Sequence, residues 1–292
     1  MKLGVIGGSG VYDIDSLEKA EWRQVKSPWG QTSDALLFGQ LQGIEVVFLP
    51  RHGRGHVHSP SSINYRANID ALKRSGVTDI ISVSACGSFR EALAPGTFVI
   101  VDQFIDRTVA REKSFFGEGM VAHVSMAKPV CGRLGDMLEQ GAAAAGIPYA
   151  RGGTYLAMEG PQFSSLAESN MYRSWGCDVI GMTNMPEAKL AREAEICFAT
   201  VAMVTDYDCW HPHHDHVDVA SVIAVLQRNA RHAGDLVKQV VSQVADGAEH
   251  GAACSHGCDR VLDTALITAP EVRDAKLLAK LDAVAGRVLK GH

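Results

Sequence analysis

The chain has 292 residues and 31.3 kDa, enough for one large domain or two small ones with a full core, which excludes disorder and a miniprotein. With 28 Lys and Arg against 33 Asp and Glu its formal charge is −5, so no global basic field exists to gather nucleic acid or anionic lipid. Seven scattered cysteines, an odd number, read as reduced thiols and not as a disulfide framework. The apolar stretch Leu3 to Ile6 is too brief for a signal peptide, and no later uncharged apolar segment reaches membrane-helix length. The expectation is a soluble, cytoplasmic protein.

Strand-like runs at Leu3 to Ile6, Glu45 to Leu49, Asp79 to Ser84, Thr97 to Val101, Asp178 to Met182 and Phe198 to Asp206 alternate with helical spacing. The helical segments are Ile63 to Ser75, Gly132 to Ala145, Ser165 to Trp175, Pro186 to Glu195 and Val219 to Val244. This alternation is an α/β pattern. No repeat or linker interrupts the first 245 residues, which are read as one domain. Residues 246–292 form a C-terminal extension, with a helical stretch from about Pro270 to Leu289 expected to pack on the same domain or on a neighbouring subunit.

Polar residues repeatedly follow the strands, where open α/β folds place their ligands. The first strand runs into Gly7-Gly8-Ser9-Gly10, whose backbone N–H groups can approach an anion and whose serine adds a hydroxyl. A dinucleotide fingerprint is disfavoured, because its third glycine position is Asp13, a carboxylate that would oppose a pyrophosphate. The second strand leads to Arg51-His52-Gly53, where a guanidinium fork and a protonated imidazole would suit phosphate oxygens. The alternative is that Arg51 simply pairs with a surface carboxylate. The third strand is followed by Ser84-Ala85-Cys86-Gly87-Ser88, and three such strand ends make an anion pocket plausible. Next come Met182-Thr183, and then Thr205-Asp206-Tyr207-Asp208. If the extended conformation persists, Asp206 and Asp208 share a face, and mutual repulsion and desolvation would hold a proton on one of them. Capping of the following helix is the competing reading, and spacing alone leaves both open.

These strings, with Asn64 to Asn68, Asp102 to Thr108, Glu159-Gly160-Pro161 and Cys209-Trp210, occur in an order that resembles the 5'-methylthioadenosine phosphorylases, in the trimeric branch of the purine nucleoside phosphorylase superfamily. The resemblance covers the chain up to about Val244. It implies a single domain with a central mixed β-sheet flanked by helices. It also implies phosphorolysis of 5'-methylthioadenosine by orthophosphate, with no metal or organic cofactor, in a homotrimer. By resemblance Ser9, Arg51, His52, Ser84, the Ala85 backbone and Thr183 hold phosphate, and Met182 packs on the ribose. Phe163 then lies near the base, with Thr205 and Tyr207 also at the substrate, and Asp206 and Asp208 face the purine N6 and N7 edge as the catalytic pair. Val217, Val219 and Val222 form the 5' pocket, with His123 reaching in from a neighbouring subunit, and Ser164 is a further specificity residue. A 6-oxopurine or methylthioinosine phosphorylase, and a noncatalytic nucleoside- or metal-binding protein on the same scaffold, are the competing expectations.

Ser9 and Ser84 stand where relatives often carry Thr, and Gln162 stands where they often carry Arg. The imidazole-rich segment His211 to His216 is read as a solvated loop and not as a metal site, since its spacing matches no closed zinc motif. Cys254 and Cys258, flanking His256, are read as reduced thiols in a flexible tail.

Overall fold

Strand β1 (Leu3–Gly7) is buried along its whole length, as expected of a central parallel strand covered on both faces. In the computed structural model, which describes residues 1–8, 10–11, 15–212, 219–247 and 253–289, its parallel neighbours are β4 (Ile44–Pro50) and β5 (Asp79–Ser88). Beyond β4 the sheet continues antiparallel through β3 (Leu36–Leu41) to the edge strand β2 (Glu18–Arg23). On the other side, β5 pairs in parallel with β11 (Cys197–Asp206), which leads to β6 (Phe98–Ile100) and β8 (Tyr149–Arg151). The far end of β5 pairs antiparallel with β10 (Val179–Gly181), followed by β9 (Thr154–Ala157) and β7 (Gln103–Asp106). The result is an eleven-stranded mixed sheet.

The long strand β5 changes neighbours along one edge. Its pairing with β1 ends at Ser82, and its pairing with β10 begins at Gly87. Val83 to Cys86 therefore border an opening in the sheet, although β11 follows them on the opposite edge.

Side chains of β11 alternate between the two faces. Phe198, Ala202 and Val204 join the core formed with α1 (Tyr65–Arg74) and α4 (Asn184–Glu193). Ala199, Val201 and Met203 join the core formed with α2 (Gly132–Ala144) and α5 (Val219–Ala245). Helix α3 (Leu166–Ser174) begins with a Ser165/Glu168 capping box, and its Tyr172 packs with Phe89, Leu156 and Ile180. Among the described residues, no helix is long and apolar enough to cross a membrane.

Each of the six strands and five helices read from the sequence is present, but β2, β3, β7, β8 and β9 are additional. The expected helix from Pro270 to Leu289 is instead two short pieces, α6 (Ala275–Lys280) and α7 (Gly286–Leu289), with Asp274 capping the first through the Leu277 N–H. Leu262, Ala265, Leu281 and Val284 of this tail belong to the α1/α4 core. Glu195 secures them, accepting from the Leu262 N–H at 3.0 Å and from Arg287 Nε at 2.8 Å.

Leu281 is fully buried where the tail meets that core. Leu281→Ala is expected to cost about 2–5 kcal/mol, seen as a lowered midpoint in urea denaturation.

Candidate active site

The opening in the sheet leads into a cavity of about 1060 Å³. Strand ends converge on it: Gly8 and Gly10 after β1, Arg51 and His52 after β4, Ser84 to Gly87 of β5, Met182 and Thr183 after β10, and Thr205, Asp206 and Asp208 at the end of β11. Phe163 and, from α5, Ile223, Leu226, Gln227 and Arg231 also line it. Ser9 and Val217 lie outside the described residues, as do the side chains of Val219 and Val222 in the first turn of α5.

Arg51 is 2% exposed, and its fork does not stand ready for phosphate as expected. It closes on the buried carboxylate of Glu187, with Nε donating to Oε1 at 2.5 Å and Nη2 to Oε2 at 3.2 Å. Nη2 also donates to Ser82 Oγ at 2.7 Å, and Nη1 to the Val83 carbonyl at 2.9 Å. These bonds leave one Nη1 hydrogen for a ligand. The pairing is also not the surface ion pair weighed from sequence, since Glu187 is itself 2% exposed.

His52 departs from expectation in its charge. Burial, reinforced by the positive charge of Arg51, pushes its pKa down to about 4, so the ring is neutral near pH 7. Its Nδ1 lies 2.8 Å from the His58 carbonyl, which can only accept, so Nδ1 carries the hydrogen and Nε2 is an acceptor. A neutral imidazole of this tautomer suits the hydroxyl of a hydrogen phosphate and not a bare oxyanion. Ser84 and Thr183, both buried, place their hydroxyl oxygens 3.2 Å apart, and Tyr155 Oη lies 3.3 Å from Ser84 Oγ. Ala85 lines the cavity beside them.

The acidic pair reaches the cavity by a route other than the expected extended strand. The pairing of β11 with β5 slips at Thr205, so that Val204 faces Cys86 and Asp206 faces Gly87. This bulge re-aims the end of the strand. Asp208 then takes a left-handed backbone conformation, φ +52°, and its N–H donates to Asp206 Oδ1 at 2.8 Å. Burial raises the pKa of Asp206, opposed by the Thr205 hydroxyl and the Asp208 N–H. Burial also raises that of Asp208, opposed by hydrogen bonds from the Ser169 and Ser164 hydroxyls and the Cys209 N–H. Asp208 Oδ2 is buried without a hydrogen-bond partner among the described residues.

Other expected residues divide. Phe163, Met182 and Thr205 line the cavity. Tyr207 does not: its hydroxyl donates to the Glu91 carbonyl at 3.1 Å and its ring stacks on His211. Ser164 stands just behind the lining, where its hydroxyl hydrogen-bonds the Asp208 carboxyl and its carbonyl accepts from the Cys209 thiol at 3.4 Å. His123 is exposed and away from this chain's cavity, its N–H held by the Ala265 carbonyl. Glu187, Gln227 and Arg231 were missed by sequence reasoning. For Glu187 a signal existed, an acid within the buried apolar run that includes Ala188, Leu190 and Ala191.

The family model for the phosphorylase superfamily matches residues 2–242. The chain belongs to this superfamily. It is 67% identical to the S-methyl-5'-thioadenosine phosphorylase of Cereibacter sphaeroides over 99% of both chains. It is 65% identical to that of Rhodospirillum rubrum, over 98% of this chain and 97% of the relative. Among solved structures, a methylthioadenosine phosphorylase from an antarctic soil metagenomic library superposes with a TM-score of 0.90 at 44% identity, covering 97% of this chain and 98% of that one. The Schistosoma mansoni methylthioadenosine phosphorylase in complex with adenine gives 0.85 at 36% identity, covering 90% and 98%.

In this phosphorylase-superfamily chain, Glu187→Gln would leave the Arg51 charge buried and uncompensated. It is expected to cost about 3–5 kcal/mol in denaturant unfolding, whereas the exposed Glu271→Gln should change stability by less than about 0.5 kcal/mol.

Proposed function

We propose that the chain catalyses phosphorolysis of 5'-methylthioadenosine: orthophosphate displaces adenine from C1', releasing 5-methylthio-α-ribose 1-phosphate. The observation that carries this reading is the joint presence in one cavity of a hydroxyl cluster at Ser84 and Thr183 and a buried acidic pair at Asp206 and Asp208. Along β5, Ser84 and Gly87 are separated by about 10 Å, which suits a sugar between its nucleophile and its base.

Bond breaking develops oxocarbenium character at the sugar and negative charge on the purine, so both ends need stabilisation. Phosphate, held by Ser84, Thr183, the Ala85 backbone, the remaining Arg51 hydrogen and His52 Nε2, supplies both the nucleophile and a nearby anion. Attack opposite the base inverts C1'. Asp206, whose pKa burial raises, donates to N7 as the base departs, and Asp208 accepts from the 6-amino group. Its unpartnered Oδ2 is the acceptor that an adenine amine would satisfy. Met182 packs on the ribose and Phe163 flanks the base. The apolar Ile223 and Leu226 of α5 suit a 5'-methylthio group.

The same reading makes the protein a cytoplasmic pentosyltransferase of purine and methionine salvage whose chemistry needs no metal or organic cofactor. It acts as a homotrimer in which His123 enters the cavity of an adjacent subunit. The exposure of His123 away from its own chain's cavity supports that arrangement.

Phosphate-dependent assays are expected to release adenine from methylthioadenosine far faster than hypoxanthine from methylthioinosine; the reverse preference rejects the role of Asp208. Asp206→Asn is expected to lower turnover roughly 10²–10⁴-fold with the fold retained. Because the acid must hold its proton, wild-type kcat should fall as pH rises through the elevated pKa of Asp206, and this alkaline limb should vanish in the variant. Ser84→Ala removes a hydrogen bond to a charged ligand, so the phosphate KM should rise by about tenfold or more while the nucleoside KM changes little.

A further inference from the structure

We propose that Cys131, Cys197, Cys254 and Cys258 form a structural site for a single zinc ion. The four sulfur atoms all lie within 4.8 Å of one another, and Cys131 Sγ and Cys254 Sγ are 3.7 Å apart. Zinc–thiolate bonds of about 2.3 Å in a tetrahedron place ligand sulfurs about 3.8 Å from each other. A disulfide needs about 2.05 Å, and sulfide-bridged iron clusters spread their cysteines wider than one ion does. The set thus fits one soft, four-coordinate divalent ion closed to further ligands.

The chain supplies these thiols from three remote places. Cys131 is the N-cap residue of α2, Cys197 opens β11, and Cys254 and Cys258 belong to the C-terminal tail. Cys131, Cys197 and Cys258 are buried. The sequence reading of Cys254 and Cys258 as thiols in a flexible tail is corrected here, since they meet two core cysteines. His256 lies against the first turn of α2, where a side chain on Gly132 would come within 2.7 Å of its ring.

The surroundings suit an anionic zinc–tetrathiolate centre. Zinc binding releases four thiol protons and leaves a net charge of −2 on the centre. Arg192 Nη1 donates to Cys258 Sγ at 3.6 Å, the Arg133 side chain hydrogen-bonds Cys197, and the Leu134 N–H reaches Cys131. Such outer contacts orient ligands and disperse their charge. The centre is remote from catalysis. Cys197 and Asp206 are the two ends of β11, separated by about 30 Å at the rise of an extended strand. Its effect is to staple the tail to α2 and β11.

Full-length protein purified under reducing, chelator-free conditions is expected to carry one zinc per chain by inductively coupled plasma mass spectrometry, released as a mercurial blocks its thiols. The Cys254→Ser/Cys258→Ser double variant is expected to lose bound zinc tenfold or more. Should that variant fail to fold, cobalt-substituted wild-type protein decides. Intense thiolate-to-cobalt charge transfer with tetrahedral d–d bands upholds the site, and weak octahedral bands reject it. The proposal is overturned by less than a tenth of a zinc per chain after reconstitution, by full zinc retention in the double variant, or by peptide mapping that finds these cysteines disulfide-linked in the reduced preparation.

Discussion

A guanidinium can sit at 2% exposure only if its charge is cancelled and its N–H groups are bonded, and Arg51 meets both conditions through Glu187, Ser82 and the Val83 carbonyl. The bonds cross chain separations of 31 to 136 residues, so a single side chain fixes the end of β4 against β5 and α4. The network extends further. Asn184 Nδ2 donates to Ser82 Oγ at 2.9 Å and to Thr200 Oγ1 at 3.2 Å, bringing in β11. Thr183 and Ser84 each adjoin a member of this network. The positions of the hydroxyls lining the cavity are therefore consequences of a buried ionic lattice, and a half-satisfied version of it would be worse than none.

At the other end of the cavity, control comes from backbone geometry more than from charge pairing. A bulge at Thr205 and a left-handed residue at Asp208 bring two carboxylates to one wall, where burial disfavours their ionisation. Left-handed backbone at a non-glycine residue costs on the order of 1–3 kcal/mol and persists only where surrounding structure enforces it. Here the Asp208 N–H bond to Asp206 and the close approach of both side chains to Gly87 provide that enforcement. The hydroxyls of Ser84 and Thr183 and the two carboxylates thus line one cavity, and a single strand, β5, runs past both groups.

The α/β class, the central strands and the large helices were legible because short apolar runs such as Leu3 to Ile6 and Phe198 to Val204, bounded by glycine or polar residues, fit buried strands better than helices. β2 was not legible, since Glu18–Arg23 is exposed at every position and carries no burial pattern. β8 and β9, of three and four residues, are too short for periodicity to register. At the site, strand ends marked by glycine and hydroxyl residues pointed to the cavity, and Arg51, Ser84, Thr183 and Asp206 all stand at or just after such ends. What local spacing does not encode is partnership. Glu187 neutralises Arg51 from 136 residues away, His52 loses its proton to burial, and Tyr207 turns to the Glu91 carbonyl although both its sequence neighbours face the cavity.

The exchange of neighbours along β5 has a consequence for how this molecule tolerates change over time. From Val83 to Cys86 the cleft is rimmed by main chain, and every amino acid except proline carries the same amide and carbonyl. Side-chain substitutions other than to proline leave those groups in place, so the shape of this opening depends on the path of β5 more than on the identity of its residues.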